Sequence, residues 1–285
     1  MKRFLALLSL LLLAFQAAVF SEGIEEAPFP PPVLSALSED GLSYDDGTIS
    51  VRVKQDVAFD TNVYYVYVKI TDPAQLNTAL AGRPGTKATA DPLRMAERMN
   101  AVLAFNGDFF NSHSSGYVVR QGQTIRQVPA AGRDLGIIDA KGDLHIVTAE
   151  SNKEQREKME AFPEEIVQCF CFGPGLIIDG ETAQFNYRKK TSCGYPTKAE
   201  RLIFCQTGPL EYLFFATDGP KVNQPGLSIP ECVSLLEAHG GILQAYNLDG
   251  GNSTHIILCG NKINAKSNKS RTICDIIFFT TGVLP

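Results

Sequence analysis

The chain has 285 residues, a formal net charge of −5 and 26 lysines and arginines that are scattered along its length. A nucleic-acid-binding protein needs a concentrated basic face, so this charge pattern argues against that class. About 260 residues follow the N-terminal apolar segment, which is enough for one large domain with a substantial core.

Residues 1–21 have the pattern of a secretory signal peptide. The start Met1-Lys2-Arg3 is basic, an apolar run covers residues 4–20, and small residues at Ala17 and Ala18 suit cleavage. The alternative is an uncleaved N-terminal anchor, because the run approaches the length of a membrane span. No later stretch is apolar for long enough to span a membrane, so we expect a secreted or extracytoplasmic protein.

Residues 22–43 are interpreted as a linker, since residues 28–32 read Pro-Phe-Pro-Pro-Pro. All seven cysteines lie in the second half of the chain. An odd number in an exported protein indicates disulfides plus a free thiol, or cysteines that are mostly buried. Cys205, Cys259 and Cys274 lie within apolar runs, which favours burial for these three.

The first half of the remaining chain alternates β-like runs with one helix. Residues 49–53 and 62–70 are rich in β-branched and aromatic side chains and predict strands. Asp91 and Pro92 are typical of a helix start, and this helix is expected to reach about Asn100. An apolar strand at 101–105 then leads into Asn106-Gly107-Asp108-Phe109-Phe110-Asn111.

The second half predicts a hairpin over 135–148, a surface helix over 153–161 and further strands. Strands are expected at residues 117–120, 169–172, 176–178, 202–206, 212–216, 256–259 and 273–280. Ser228 and Glu231 form a capping box for a helix that ends at His239.

This helix joins the strand before Asp218 to the strand before Asp249, which is a crossover connection. Both acids should therefore leave the sheet at the same edge. The pattern predicts an α+β fold, with a single domain at 44–285 that has a mixed β-sheet flanked by a few helices.

The segment 246–254, Tyr-Asn-Leu-Asp-Gly-Gly-Asn-Ser-Thr, ends an apolar run with an acid, two glycines and small polar side chains. Such a segment presents a carboxylate, amides and hydroxyls at the rim of a sheet, where polar substrates are bound. The alternative is an ordinary hairpin turn, because Asp-Gly is a common turn pair.

Several catalytic motifs are absent from the sequence. There is no Gly-x-Ser-x-Gly, His-Glu-x-x-His, Cys-x-x-Cys or Gly-Lys-Ser/Thr, so no metal or cofactor is expected. His113 and His255 follow polar turns and are interpreted as structural or peripheral groups. The remaining strand-end carboxylates and amides are typical of proteins that handle sugars.

Four motifs in order resemble those of the phosphodiester glycosidase family. They are Asn-Gly-Asp-Phe-Phe at 106–110, Phe-Gly-Pro-Gly-Leu-Ile-Ile-Asp-Gly at 172–180, Thr-Asp-Gly at 217–219 and Asn-Leu-Asp-Gly-Gly-Asn-Ser-Thr at 247–254. The resemblance extends from about residue 44 to 282. It implies an exported glycosidase that hydrolyses sugar-1-phosphodiester linkages in envelope polymers or glycans.

The resemblance also implies roles for particular residues. Catalysis is expected from Asp249, Asp218 and Asp108, which can activate water or attack the anomeric carbon. Phosphate and sugar binding is expected from Asn106, Gly107, Arg201, Lys221, Asn247, Gly250, Gly251, Ser253, Thr254 and Arg271. The family's usual Asp-Gly-Arg is Asp218-Gly219-Pro220 here, and Lys221 follows as a substitute cation.

We expect the polar turns at 106–111, 217–221 and 247–254 to converge on one cleft. The competing class is a non-catalytic envelope module that binds polysaccharide in the same cleft. A further alternative is an enzyme that uses Ser253 as its nucleophile. The expected partner is a carbohydrate or sugar phosphate, with no nucleic acid and no membrane span after removal of the signal.

Overall fold

The computed structural model describes residues 29–183, 196–264 and 271–282. The predicted signal peptide at 1–21 lies outside the described residues, as does the linker up to residue 28. Within the described part of the chain, no helix is both long enough and apolar enough to cross a membrane.

The described chain is dominated by short strands, with three α-helices between them. The first nine strands are β1 (Ser43–Asp45), β2 (Ile49–Ala58), β3 (Thr61–Ile70), β4 (Leu76–Leu80), β5 (Leu103–Asn106), β6 (Gly116–Arg120), β7 (Gln123–Val128), β8 (Leu135–Asp139) and β9 (Leu144–Val147). They are followed by β10 (Ile166–Phe170), β11 (Gly175–Ile178), β12 (Glu181–Thr182), β13 (Leu202–Gly208), β14 (Glu211–Thr217), β15 (Gln244–Asn247), β16 (Ile256–Leu258), β17 (Asn261–Lys262) and β18 (Asp275–Phe279). The helices are α1 (Pro92–Arg98), α2 (Asn152–Glu160) and α3 (Ile229–His239).

The strands form three sheets. The large sheet has eight strands in the order β1-β2-β3-β14-β13-β15-β11-β12. The second sheet has the order β7-β6-β10-β8-β9, and the third has the order β17-β16-β5-β18-β4. The α+β class predicted from the sequence is confirmed, although the strands form three antiparallel sheets in place of one mixed sheet.

Helix α3 connects β14 to β15, which are not neighbours in the large sheet. Strand β13 lies between β14 and β15 and pairs antiparallel with both of them. The two outer strands therefore run in the same direction without touching each other. Their ends lie at one edge of the large sheet, so the expected common exit of Asp218 and Asp249 is observed.

The main core lies between the large sheet and the two smaller sheets. Its centre is an aromatic stack in which the ring of Phe214 lies 3.8 Å from that of Phe105 and 4.5 Å from that of Phe204. The opposite face of the large sheet packs against the apolar side of α3. Helix α1 packs on the outer face of the third sheet, and α2 lies against the second.

The helix boundaries follow from capping residues. The side chain of Asp91 accepts a hydrogen bond from the backbone N–H of Arg94 and begins α1. Ser228 and Glu231 form the predicted capping box of α3, which ends before Gly240 with a φ of 71°.

Part of the segment interpreted as a linker packs on the domain. The ring of Phe29 lies edge-on to Phe278 at 5.4 Å, and its carbonyl accepts a hydrogen bond of 2.8 Å from the Asn100 side chain. The segment therefore contributes to the core beneath α1 from residue 29 onward, because its apolar side chain finds a partner there.

The cysteines of the described segments are all free thiols, and Cys193 lies outside those segments. Cys205 and Cys274 are buried as expected, together with Cys169, Cys171 and Cys232, while Cys259 is partly exposed. The structure thus agrees with the interpretation that the cysteines are mostly buried, rather than with a disulfide framework.

Candidate functional site

A narrow crevice lies where the ends of β5 and β18 meet the segment after β15. Its lining residues are Asn106, Gly107, Phe109, Asp249, Ile273, Cys274 and Asp275, and they leave no room for a water molecule between them. Pockets that hold a whole small ligand are usually larger than about 300 Å3, so a substrate would lie mostly outside this crevice.

The turn after β5 shapes one wall of the crevice. The side-chain amide of Asn106 donates a hydrogen bond of 2.8 Å to the carbonyl of Asp249, and its oxygen accepts one of 3.2 Å from the N–H of His255. A Cβ atom on Gly107 would lie only 2.3 Å from the Asp275 carboxyl group. Only glycine therefore allows the backbone to approach Asp275 this closely.

Asp249 is one of the two acids that line the crevice, the other being Asp275. Burial raises its pKa to about 6, and the charge of Asp108 adds to the rise. The Ser253 hydroxyl, the positive charge of Arg271 and the Gly250 N–H lower the pKa in the opposite direction. A carboxyl group with a pKa close to neutral can both accept and release a proton, which is the property of a general base.

Residues 247–254 contain most of the unpartnered polar atoms of the described structure. Among the described residues, five buried side-chain N or O atoms lack a hydrogen-bond partner of good geometry. Four of them belong to residues 247–254: Asn247 Oδ1, Asn252 Oδ1, Thr254 Oγ1 and Ser253 Oγ, the last of which is close enough to Asp249 to lower its pKa. Each such atom costs about 1–3 kcal/mol. A concentration of them is expected where a polar ligand supplies the missing partners.

The two glycines of this segment serve the backbone. The N–H of Gly251 donates a hydrogen bond of 2.9 Å to the carbonyl of Glu200, and a Cβ on Gly250 would lie 2.4 Å from the same oxygen. The family resemblance predicts that both amides hold phosphate. The Gly251 amide is already occupied, because it bonds to the residue two positions before β13.

Asp108 lies beneath the crevice in a buried ion cluster with Arg120 and Asp275. Arg120 Nη2 lies 2.7 Å from Asp108 Oδ1 and 2.7 Å from Asp275 Oδ2. The second oxygen of Asp108 accepts a hydrogen bond of 2.6 Å from the N–H of Cys171. Both of its oxygens are thus engaged and its exposure is 0%, so Asp108 holds the ion cluster together in this structure, and its catalytic role stays a prediction.

The charges of this cluster are set by burial and by one another. Burial disfavours the Arg120 guanidinium, but Asp108 and Asp275 outweigh this effect and raise its pKa. Burial also raises the pKa of Asp275, which Arg120 opposes and Asp108 reinforces. The cluster therefore carries one more acid than base, and it reaches the crevice lining through Asp275.

Arg120 and Asp275 were missed by the sequence analysis. Each is a single charged residue next to an apolar run, in Tyr-Val-Val-Arg at 117–120 and Cys-Asp-Ile at 274–276. A lone charge in a strand that reads as buried indicates a buried partner, because isolated charges are rarely buried. That signal identifies both residues but not their pairing across 155 positions.

Asp218 leaves the same sheet edge as Asp249 but lies outside the crevice lining among the described residues. It is buried, and it accepts hydrogen bonds of 2.9 Å from the Tyr64 hydroxyl and from the Asn62 amide. Its turn reaches the Asp249 turn through Glu200, which contacts Lys221 N through its side chain and Gly251 N through its carbonyl. The turn at 247–254 therefore contacts the turn at 106–111 directly and the turn at 217–221 through Glu200, although no residue of 217–221 lines the crevice.

The cations expected to hold phosphate occupy different places. Arg201 is buried on the side of the large sheet that packs on α3, where its Nε donates to the Leu227 carbonyl at 2.9 Å and its Nη2 to the Thr197 carbonyl. The Lys221 side chain is exposed. Arg271 has its guanidinium 4.1 Å from the ring centroid of Phe109, so Arg271 is the predicted cation that lies at the crevice.

The histidine beside the crevice has a structural role. His255 is buried, its Nδ1 donates to the Ser253 carbonyl at 2.6 Å, and burial lowers its pKa to about 4. It is therefore neutral at physiological pH and fixes the 253–255 backbone. Among the described residues, no group of three or more His, Cys, Asp or Glu side chains is arranged to hold a metal ion.

The sequence and the fold both match known proteins. The sequence matches the phosphodiester glycosidase family over residues 99–280. The chain therefore belongs to this family, as the motif resemblance predicted.

Two solved structures share the fold. The catalytic domain of zebrafish N-acetylglucosamine-1-phosphodiester alpha-N-acetylglucosaminidase, described as auto-inhibited by its pro-peptide, matches with a TM-score of 0.65 and 16% identity over 84% of this chain and 86% of that chain. A hypothetical protein from Synechocystis matches with a TM-score of 0.56 and 15% identity over 82% of this chain and 62% of that chain. No curated protein matches the sequence.

Proposed function

We propose that this protein hydrolyses the glycosidic bond of sugar-1-phosphodiesters and that Asp249 is its catalytic carboxylate. The observation that carries the proposal is the position of Asp249 in the crevice. There its pKa is close to 6, and a series of unpartnered buried polar atoms follows it in the chain. Membership of the family supports the same reaction class.

The chemistry of the substrate suits this site. A sugar-1-phosphodiester releases a phosphate monoester, a good leaving group that needs little help from a general acid. The reaction instead requires a carboxylate that activates water or attacks the anomeric carbon, which is the role proposed for Asp249. Arg271 lies beside it and offers a positive charge to the phosphate oxygens.

The unpartnered atoms supply sugar recognition in this proposal. The hydroxyls of Ser253 and Thr254 can both donate and accept hydrogen bonds, while the free oxygens of Asn247 and Asn252 accept them from sugar hydroxyls. Binding would then repay the desolvation of these atoms. This arrangement gives Ser253 a binding role, in place of the nucleophile considered from the sequence.

The test is turnover of a panel of sugar-1-phosphate diesters by the purified protein and by Asp249→Asn. We expect the variant to lose at least about a hundredfold in rate, the scale of an acid–base group. Asp179→Asn is a matched control, because Asp179 is an exposed acid in another Asp-Gly turn. Unchanged turnover by Asp249→Asn would place the chemistry elsewhere, and binding without any product would identify a carbohydrate-binding module.

We also propose that the protein is exported, which makes envelope polymers or extracellular glycans its substrates. The support is the basic and apolar pattern of residues 1–21. Mass spectrometry of the protein from the extracytoplasmic fraction should find an N-terminus between about residues 19 and 23. A protein that keeps Met1 and remains in the membrane fraction would be anchored instead.

A further inference from the structure

Three basic side chains lie close together near the turn after β5: His113, Arg126 of β7 and Arg133. Arg126 Nη1 donates hydrogen bonds to the carbonyls of Phe110 and His113, at 3.1 and 2.6 Å. Arg133 Nη2 donates to His113 Nδ1 at 3.1 Å. Because arginine has no acceptor atom, Nδ1 of His113 is unprotonated and the imidazole keeps its proton on Nε2.

No carboxylate of the described chain is in direct contact with this cluster, and the nearby acid Asp108 acts on it only through space. Neither Arg126 nor Arg133 takes part in any ion pair of the described structure. Burial lowers the pKa of His113, and the positive charges of Arg133 and Arg126 lower it further. Burial and the charge of Arg133 lower the pKa of Arg126, so the two arginines repel each other, and an anion between them would remove the repulsion.

A purely structural role accounts for Arg126 but not for Arg133. Arg126 donates hydrogen bonds to three backbone carbonyls, because its Nε also donates to the carbonyl of Gly116 at 3.2 Å. The Arg133 side chain has only the bond to His113, and its Nε is buried without any hydrogen-bond partner. Among the described residues, it is the one buried atom without a partner that lies outside residues 247–254. A buried guanidinium N–H without an acceptor points to a missing ligand.

The cluster lies at the same end of the molecule as the crevice. Phe109 lines the crevice, and His113 follows it by four residues, a chain length of at most about 14 Å. The charge of Asp108 also influences the pKa of His113 on one side and of Asp249 on the other. All three basic side chains are partly exposed, so a ligand has access to them.

We propose that Arg126, Arg133 and His113 form an anion subsite that binds a phosphate group of the substrate; its link to a substrate rests on the proposed function. Arginine guanidinium groups bind phosphate oxygens with paired, charge-assisted hydrogen bonds. The phosphate can be that of the cleaved linkage or a second one further along a polymer, since Arg271 already lies beside Asp249.

The first test is direct binding of inorganic phosphate to the full chain by calorimetry. We expect Arg133→Gln to weaken binding at least tenfold, while Arg156→Gln, an exposed arginine on α2, leaves it unchanged. Wild-type affinity in Arg133→Gln, or a loss confined to Arg271→Gln, would overturn the proposal. Should Arg133→Gln not fold, Arg133→Lys replaces it and is expected to lose at least threefold, because lysine cannot form the paired bonds.

The second test separates the two sources of phosphate. If the subsite holds the cleaved phosphate, Arg133→Gln raises KM for substrates with one phosphodiester as well as for those with two. If it holds a second phosphate, only the substrates with two are affected. Equal KM values for Arg133→Gln and Arg156→Gln on both substrates would refute the subsite. Phosphate binding that depends on Arg133, in a protein that cleaves no diester, would instead refute the proposed function alone.

Discussion

At the scale of single residues, Asp249 has a pKa of about 6 in the folded protein against about 3.9 in an unfolded chain. The folded state therefore binds more protons than the unfolded state between these values. The free energy of unfolding therefore decreases as pH rises from about 4 to about 6. The total decrease is at most about 3 kcal/mol, and it is complete above pH 6.

Asp249→Asn should accordingly be more stable than the wild type at pH 7.5, by up to about 3 kcal/mol, although it is inactive. The difference should shrink toward zero near pH 4, where Asp249 is protonated in both states. Denaturant unfolding at several pH values measures this. A variant that is less stable than the wild type at pH 7.5 would mean that the carboxylate has a net favourable interaction in the fold.

The same pKa predicts the pH dependence of the reaction. If Asp249 acts as a base or nucleophile, kcat/KM should rise with pH through about 6 and then level off, because the ionised form is the active one. The acid limb should persist in Arg133→Gln, which leaves the Asp249 surroundings intact. Activity that is constant from pH 4.5 to 7.5 would exclude Asp249 as the group that must ionise.

Arg120 is the residue on which the buried ion cluster depends. Arg120→Met would leave Asp108 and Asp275 buried without a cation, which should cost about 3–5 kcal/mol. The loss should be smaller at acid pH, because protonation of the carboxyl groups removes their repulsion. Adding Asp275→Asn should recover part of the stability at pH 7.5. Thermal unfolding of the two variants measures both effects, and equal stability of all three proteins would show that the cluster is already neutral.

Single residues also show how far the sequence could predict the site. Asn106 and Asp249 follow apolar runs within motifs, so local pattern was enough to place both at the crevice. The pairing of Arg120 with Asp275 joins strands of different sheets, which no local pattern encodes. Arg201 matched the family pattern, but its contacts depend on the 227 carbonyl that the fold brings beside it.

At the scale of elements, the turn after β5 depends on a close backbone approach. Gly107→Ala should push Asp275 away and distort the crevice, since the new Cβ would lie 2.3 Å from its carboxyl group. Overpacking of this kind costs about 1–3 kcal/mol, and we expect most of the activity to be lost with it. Gly132→Ala, where no atom lies within 4 Å of the added Cβ, should change stability by less than about 0.5 kcal/mol. Thermal unfolding and turnover of both variants check this, and wild-type activity in Gly107→Ala would show that the wall of the crevice can yield.

Helices and hairpins could be predicted because their signals are local. The cap at Asp91 and the capping box at Ser228 set the starts of α1 and α3 within the chain itself. The division into three sheets could not be predicted in this way. In the large sheet, β13 lies between β14 and β15, the two strands that α3 connects. Which strands become neighbours depends on side-chain packing across the core, and local sequence does not encode it.

At the scale of the whole molecule, the crevice lies between two sheets. Asn106, Gly107 and Asp275 belong to the third sheet or its turns, whereas Asp249 follows a strand of the large sheet. The position of one sheet on the other therefore sets the distance between the crevice walls. The stack of Phe214 on Phe105 is a direct aromatic contact between these two sheets.

Phe214→Ala should consequently lower both stability and activity. Truncation of a buried phenylalanine costs about 3–5 kcal/mol, which for a domain of this size is a fall in Tm of roughly 10 °C. Phe215→Ala is the matched control, because Phe215 is equally buried on the next position of β14 but packs on the α3 side. We expect similar Tm losses in both, with kcat/KM reduced at least threefold at 15 °C only in Phe214→Ala. Equal activities at that temperature would show that the hydrogen bond from Asn106 to the Asp249 carbonyl holds the crevice together without the aromatic stack.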